Sequence, residues 1–138
     1  MSADLTHVQR MWEDDDASRA LGMEALEIAV DRARVRMAVT DAMVNGHDIA
    51  HGGFIFTLAD SAFALACNSR GALTVAAGAD ITFVAPARRG DVLVADATQR
   101  TAYGRSGITD VTVTRESDGS TIAEFRGRSR SLRSQEET

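Results

Sequence analysis

The sequence predicts an α+β domain in which one curled antiparallel β-sheet wraps around a long central helix. The first observation is an apolar run of helical length, at about residues 53–68, which is apolar on nearly all sides and should therefore be buried. The second is the order of the signals, because a short helix and a strand precede this run and four strand-like segments follow it. One sheet around one helix leaves a sheet face and edge strands uncovered, so we expect a dimer or a larger homo-oligomer.

The first third of the chain predicts a helix followed by a strand. Residues 4–13 are expected to form a short amphipathic helix, and the acidic run Glu13–Asp16 is interpreted as a solvated junction after it. Alternation from Leu26 to Val39 predicts a strand whose phase changes once, so a bulge or a turn is expected at Asp31–Arg32. Helical spacing relates four apolar residues of the first helix: Leu5, Val8, Met11 and Trp12.

The second half of the chain predicts strands. Gly71 is expected to end the central helix, Gly104 to divide the second strand from the third, and Asp118-Gly119 to form a hairpin turn. The polar tail at about residues 131–138 is expected to be frayed. The strand segments centre on Leu73–Val84, Val92–Ala97, Ile108–Val113 and Ile122–Ser131.

Composition limits the classes of function. The chain has 138 residues, which predicts a single domain over 1–138, and its formal charge of −5 argues against nucleic acid or a membrane surface as the main partner. One cysteine, Cys67, rules out an internal disulfide framework and fits a reducing compartment. No apolar run reaches transmembrane length and no signal peptide is recognisable, so a cytoplasmic location is expected.

A set of short motifs resembles one protein family, the hot-dog-fold thioesterases, and most closely acyl-CoA thioesterases of the phenylacetic-acid-degradation type. The resemblance extends from about Leu21 to Arg130, and the motifs are specific in their combined order and spacing. The motifs are Asn45-Gly46-His47, His51-Gly52-Gly53, Leu58-Ala59-Asp60, Ala66-Cys67-Asn68, Ile81-Thr82-Phe83, Pro86-Ala87, Gly90-Asp91 and Gly104-Arg105-Ser106.

The resemblance implies a fold and an activity. It implies a long helix inside a curled sheet, active sites at a dimer interface and a homotetramer. It also implies hydrolysis of acyl-CoA thioesters without a metal or another cofactor, on phenylacetyl-CoA or a ring-hydroxylated relative.

Gly52 and Asp60 are the candidate catalytic centre. Glycines at a helix start let a carbonyl oxygen approach first-turn amides that have no intrahelical partner, which suits an oxyanion hole, and the resemblance singles out the Gly52 amide. Asp60 is a lone carboxylate in an apolar run and lies seven residues after Gly53, on the same helix face. We expect it to reach a thioester carbon bound at the helix start, as a base or as a nucleophile. A plain glycine turn and a structural aspartate are the alternatives.

Supporting roles are expected for residues near this centre. Asn45 is predicted to hold a water or the thioester, and the resemblance places Asn45 and His51 near the leaving group and the oxyanion hole. His51 is expected to fix the turn rather than to transfer protons. Gly53 and Thr57 are predicted to contact the substrate. The alternative for Thr57 is a packing or helix-capping role, which is also the role expected for Ser61. Cys67 is interpreted as a small buried hydrophobe, and His47 as a loop residue.

The nucleotide of CoA requires cations, and two segments supply them. Arg88 and Arg89 follow Pro86-Ala87, and Arg105 and Ser106 belong to a predicted turn, so these four residues are the candidate substrate-binding set. Solvated surface arginines are the alternative. No clustered spacing of histidine or cysteine predicts a metal site.

Two rival functions are kept open. The first is a dehydratase or hydratase on the same fold, which would need a histidine paired with the carboxylate, whereas position 64, one turn after Asp60, is alanine. The second is a non-catalytic acyl-CoA-binding or interaction module, against which the intact Gly52-Gly53 and Asp60 argue.

Overall fold

The structure, a computed structural model, describes residues 4–132, so the predicted frayed tail lies outside the described residues except for its first two positions. Ser131 of that segment belongs to the last strand. In the described part of the chain, no helix is long and apolar enough to cross a membrane.

The helices are α1 (Thr6–Glu13), α2 (Asp16–Ala20) and α3 (Gly52–Cys67), and the strands are β1 (Glu24–Ala29), β2 (Arg32–Ala38), β3 (Thr74–Phe83), β4 (Val92–Tyr103), β5 (Ser106–Arg115) and β6 (Thr121–Ser131).

The strands form one six-stranded sheet in the order β1-β2-β4-β5-β6-β3, and every neighbouring pair is antiparallel. This confirms the predicted α+β hot-dog architecture. The edges of the sheet are therefore β1 and β3. Because β3 follows α3 directly, the helix is tied to one edge of the sheet.

Helix α3 packs along the inner face of the sheet. Its small side chains, such as Ala59, Ala62 and Ala66, are fully buried and let strand backbones approach closely. Phe63 lies over Gly127 of β6, where an added Cβ would come within 2.6 Å of the ring, so only glycine fits beneath it. Burial of a side chain the size of Phe63 contributes about 1.5–3 kcal/mol to the stability.

The outer face of the sheet is polar. Arg126 of the last strand is exposed and pairs with Asp110 at 2.7 Å. Arg34 pairs with Asp96 on the same face. A shallow depression of about 980 Å³ lies here, on the opposite side of the sheet from α3, and polar residues such as Asp96, Asp110 and Arg126 line most of it.

One local feature decides between two predicted alternatives, and a second differs from the sequence prediction. Asp31 adopts a left-handed conformation with φ 64°, so the long strand predicted over Leu26–Val39 is a hairpin of β1 and β2, with the turn rather than the bulge at this point. The acidic run Glu13–Asp16 is not only a solvated junction, because it also starts the short helix α2. A helix of five residues has too few apolar positions to show a periodic pattern.

Candidate active site

The start of α3 leaves its first amides available. His51 is the N-cap residue, with φ −59° and ψ 136°, and its side chain makes no capping hydrogen bond. The amides of His51 and Ala50 donate to backbone carbonyls, to Met43 and Ala87, which fix the chain that enters the helix. Within residues 4–132 no backbone hydrogen bond uses the N–H of Gly52 or Gly53. Two donors at the positive end of the helix dipole are thus free for an oxyanion.

An apolar cavity of about 360 Å³ opens beside Gly52. A Cβ added to Gly52 would lie 2.7 Å from Cζ of Phe83, so the glycine allows the ring to approach the helix start. Phe83 is 51% exposed, and the sequence motif that contains it gave no reason to assign it a role. The cavity is lined by Ile49, Ala50, Gly52, Ile55, Phe83, Val84, Ala85, Pro86 and Ala87.

Replacing Gly52 by proline tests whether the backbone N–H of this residue takes part in the reaction. Proline is favoured at the first position of a helix, and His51 already has the extended conformation that a following proline requires. Gly52→Pro therefore removes one N–H and keeps the helix, and we expect it to lower kcat for thioester hydrolysis by about 100-fold or more.

The matched control is Gly52→Ala, which adds the same Cβ against the movable ring of Phe83 but keeps the N–H. Steady-state kinetics and circular dichroism of both variants separate the amide from the steric effect. Equal kcat values for the alanine and proline variants would remove Gly52 from the oxyanion hole.

Asp60 is half-buried on α3. Burial raises the pKa of its carboxyl group above the ordinary value, and the negative charge of Asp15 raises it further. A carboxylate with a raised pKa is a stronger base once ionised. No salt bridge or side-chain hydrogen bond to Asp60 is present in the described part of the chain, so the group is available for chemistry.

One chain does not bring Gly52 and Asp60 to the same point. They are separated by eight residues of continuous helix, which is about 12 Å along the axis at 1.5 Å per residue. A reacting atom must come within about 3–3.5 Å of its target. The expectation that Asp60 reaches a thioester at its own helix start is therefore not met within one chain.

Asn45 organises the loop before α3. Its Oδ1 accepts hydrogen bonds from the amides of His47, at 2.8 Å, and Ile49, at 3.2 Å. The side-chain NH₂ of Asn45 has no hydrogen-bond partner in residues 4–132, so a donor remains for a ligand. His47 and the side chain of His51 are exposed.

The remaining helix residues have structural partners. The Thr57 hydroxyl donates to the carbonyl of Gly53 at 2.8 Å, which agrees with the packing alternative for Thr57. The Ser61 hydroxyl lies 2.7 Å from that of Ser18. Cys67 is buried, and burial raises the pKa of its thiol to about 12, so it is neutral near pH 7 and behaves as a small hydrophobe.

The four candidate residues for the nucleotide of CoA do not form one cluster. Arg89 is held between Asp41 and Asp48, at 2.8 and 2.7 Å, so its charge is already compensated. The exposed side chain of Arg88 has no partner in the described part of the chain, while its amide donates to Asp91.

Arg105 and Ser106 lie at the far end of β4 from Arg88, a distance of about 35 Å at the rise of a strand. No group of three or more potential metal ligands occurs within residues 4–132.

Comparison with known proteins supports a thioester-cleaving chemistry. Residues 47–122 match the family model described as Thioesterase superfamily. A curated relative, Acyl-coenzyme A thioesterase PaaI of Escherichia coli, is 41% identical over 86% of this chain and 84% of its own. The solved E. coli PaaI protein from the phenylacetic acid degradation operon superimposes with a TM-score of 0.89 at 38% identity, covering 93% of this chain and 92% of its own.

A third match carries a ligand. The Streptococcus mutans protein smu.793 bound to acetyl CoA has a TM-score of 0.76 at 25% identity, covering 80% of this chain and 88% of its own.

Proposed function

Because the chain belongs to the thioesterase superfamily and is an acyl-CoA thioesterase, we propose that it hydrolyses phenylacetyl-CoA or a ring-hydroxylated relative at the start of α3. The observation that carries the proposal is the pair of free amides at Gly52 and Gly53 beside an apolar cavity. The E. coli relative comes from a phenylacetic acid degradation operon.

The chemistry follows from the charges. The thioester oxygen binds at the Gly52 amide, which stabilises the negative charge that develops on it as the carbon is attacked. Asp60 either removes a proton from the attacking water or attacks the carbon itself to form an anhydride that water then opens. In both routes one water is consumed, the C–S bond breaks, and the free acid and the CoA thiol leave. The free NH₂ of Asn45 is placed to bind the thioester or the water.

The site is completed by a second copy of the chain. Since Gly52 and Asp60 are about 12 Å apart in one helix, the oxyanion hole of one protomer works with Asp60 of its partner. The exposed edge strand β3 supplies the surface for pairing, because Val75 and Phe83 on it, and Leu73 and Val84 at its ends, are 42–56% exposed. The working unit is a homodimer or a dimer of dimers.

The cavity suits a compact apolar acyl group. Its volume of about 360 Å³ and its walls of alanine, isoleucine, valine and proline match the size and the apolar character of such a group. The ring of Phe83 stands at its edge, where a second aromatic ring packs edge to face at favourable energy. These features favour phenylacetyl-CoA over acetyl-CoA.

Release of free thiol from a panel of acyl-CoA substrates tests this function. We expect the highest kcat/KM with phenylacetyl-CoA and its ring-hydroxylated forms. Saturable binding without thiol would indicate the non-catalytic module, and hydration of an enoyl-CoA without thiol would indicate the hydratase. A preference for acetyl-CoA would contradict the substrate class and leave the thioesterase activity standing.

Arg88, Arg89, Arg105 and Ser106 remain candidates for holding the nucleotide, and the structure favours Arg88 because its guanidinium is unpaired within residues 4–132. Arg88→Ala is expected to raise KM for acyl-CoA about tenfold, the loss of one charge-assisted hydrogen bond, with little change in kcat. Arg89→Ala is the matched control, since Arg89 is neutralised by Asp41 and Asp48.

A short thioester without the nucleotide should be hydrolysed equally by both variants and the wild type. A rise in KM for Arg89→Ala as large as that for Arg88→Ala would contradict the assignment.

A further inference from the structure

The acidic run Glu13–Asp16 contains one member that differs from the others. Glu13, Asp14 and Asp16 are exposed, whereas Asp15 is half-buried. Asp15 is the N-cap of α2, and its Oδ1 accepts from the Ser18 amide at 3.0 Å. A cap needs only one of the two carboxylate oxygens, so the second is free to do something else.

The second oxygen of Asp15 starts a hydrogen-bonded chain into the core. The Ser18 hydroxyl donates to Oδ2 of Asp15 at 2.6 Å and lies 2.7 Å from the Ser61 hydroxyl. Ser18 is 1% exposed and Ser61 is 8% exposed. Since an ionised carboxylate only accepts, the direction is fixed, and Ser61 donates to Ser18, which donates to Asp15. The proton of the Ser61 hydroxyl is therefore engaged by Ser18.

The negative charge of Asp15 acts on the carboxyl group of Asp60. After burial, the negative charge of Asp15 is the second cause that raises the pKa of the Asp60 carboxyl group. Cys67, on the same helix, is neutral near pH 7 and adds no charge there. The strands packed on α3 face it mainly with apolar side chains. Their charged residues, such as Arg34 and Asp96, lie on the opposite face of the sheet.

We propose that Asp15 is a positioning residue for Asp60: its carboxylate anchors α2 to α3 through Ser18 and Ser61, the residue that follows Asp60 on α3. This inference rests on the proposed role of Asp60 in thioester hydrolysis. A like charge nearby disfavours the ionised form of a carboxylate, so Asp60 binds its proton more tightly in the presence of Asp15.

The pH profile of kcat/KM tests this arrangement. Asparagine caps a helix as well as aspartate does, so Asp15→Asn removes the charge and keeps α2. The acid limb of the profile is the pH range in which kcat/KM falls as Asp60 becomes protonated. We expect this limb to move to lower pH in Asp15→Asn, because Asp60 then ionises more easily. In Asp15→Glu, which keeps the charge, we expect the limb to lie at its wild-type position. Asp14→Asn, a neighbouring exposed charge, is the matched control and should leave the limb in place.

Two further measurements separate charge from structure. Ser18→Ala breaks the hydrogen-bonded chain but keeps the charge of Asp15. It should therefore lower the melting temperature and leave the acid limb of the kcat/KM profile at its wild-type pH. Titration of the Asp60 carboxyl carbon by NMR, assigned with Asp60→Asn, should show the same downward movement in Asp15→Asn without any substrate.

The outcomes are distinguishable. An unmoved limb and an unmoved NMR titration in Asp15→Asn, or an equal shift in Asp14→Asn or Ser18→Ala, would overturn the role of Asp15. Full activity of Asp60→Asn would instead remove Asp60 from the reaction, while the NMR comparison would still measure the coupling of the two carboxylates.

Discussion

Asp60→Asn is expected to lower kcat/KM for acyl-CoA hydrolysis roughly a thousandfold while making the protein more stable at neutral pH. The loss follows because asparagine neither attacks a thioester nor removes a proton. The gain follows because the pKa of Asp60 is raised in the folded protein by burial and by Asp15, so its ionised form opposes folding. That cost is absent below the unfolded pKa and grows as the pH rises through the folded pKa.

Thiol release and thermal melts from pH 3 to pH 8 check both parts. The difference in melting temperature between Asp60→Asn and the wild type should be largest near neutral pH and shrink as the pH falls. Asp14→Asn, on the exposed part of the acidic run, controls for the removal of a negative charge. An Asp60→Asn protein that keeps near-wild-type turnover would refute the assignment of this residue.

Mixing two inactive variants is expected to restore activity. If the oxyanion hole and the carboxylate come from different protomers, a dimer of one Asp60→Asn chain and one Gly52→Pro chain contains one intact site and one site that lacks both groups. Random assembly should then recover about a quarter of the wild-type activity per site, because each site draws its two halves independently.

Co-expression with two different tags allows the mixed dimer to be purified and assayed beside each parent. Parents mixed after folding, without exchange of subunits, provide the background. A mixed dimer as inactive as its parents would contradict a site shared between protomers. So would full activity of a protein that light scattering shows to be monomeric.

The elements with strong periodicity were predictable from the sequence. The buried helix and the strands that follow it have apolar patterns long enough to separate a period near 3.6 from a period of 2. One antiparallel sheet wrapped around the helix satisfies their order. The hairpin at Asp31 was ambiguous, because a turn and a bulge both change the phase of alternation. Helix α2 was missed because its acidic residues resemble a solvated loop.

The site was predictable only in part. The glycines before α3 and the lone Asp60 are local signals that residue type alone reveals. Their separation along α3 follows from the predicted helix and the structure keeps it. What residue spacing in one chain does not reveal is which groups of a second copy lie beside each of them. The ion pairs of Arg89 with Asp41 and Asp48, and the approach of Phe83 to Gly52, join residues 31 to 48 positions apart and leave no local pattern.

The missing side-chain cap on α3 links ligand binding to folding. Most helices satisfy a first-turn N–H with a serine, threonine or aspartate, which contributes about 1 kcal/mol, whereas His51 makes no such bond. Under the proposed function, the acyl oxygen of the substrate takes the place of this absent acceptor when it binds. On this proposal, a side chain at position 51 that capped the helix would compete with the substrate for the same N–H groups.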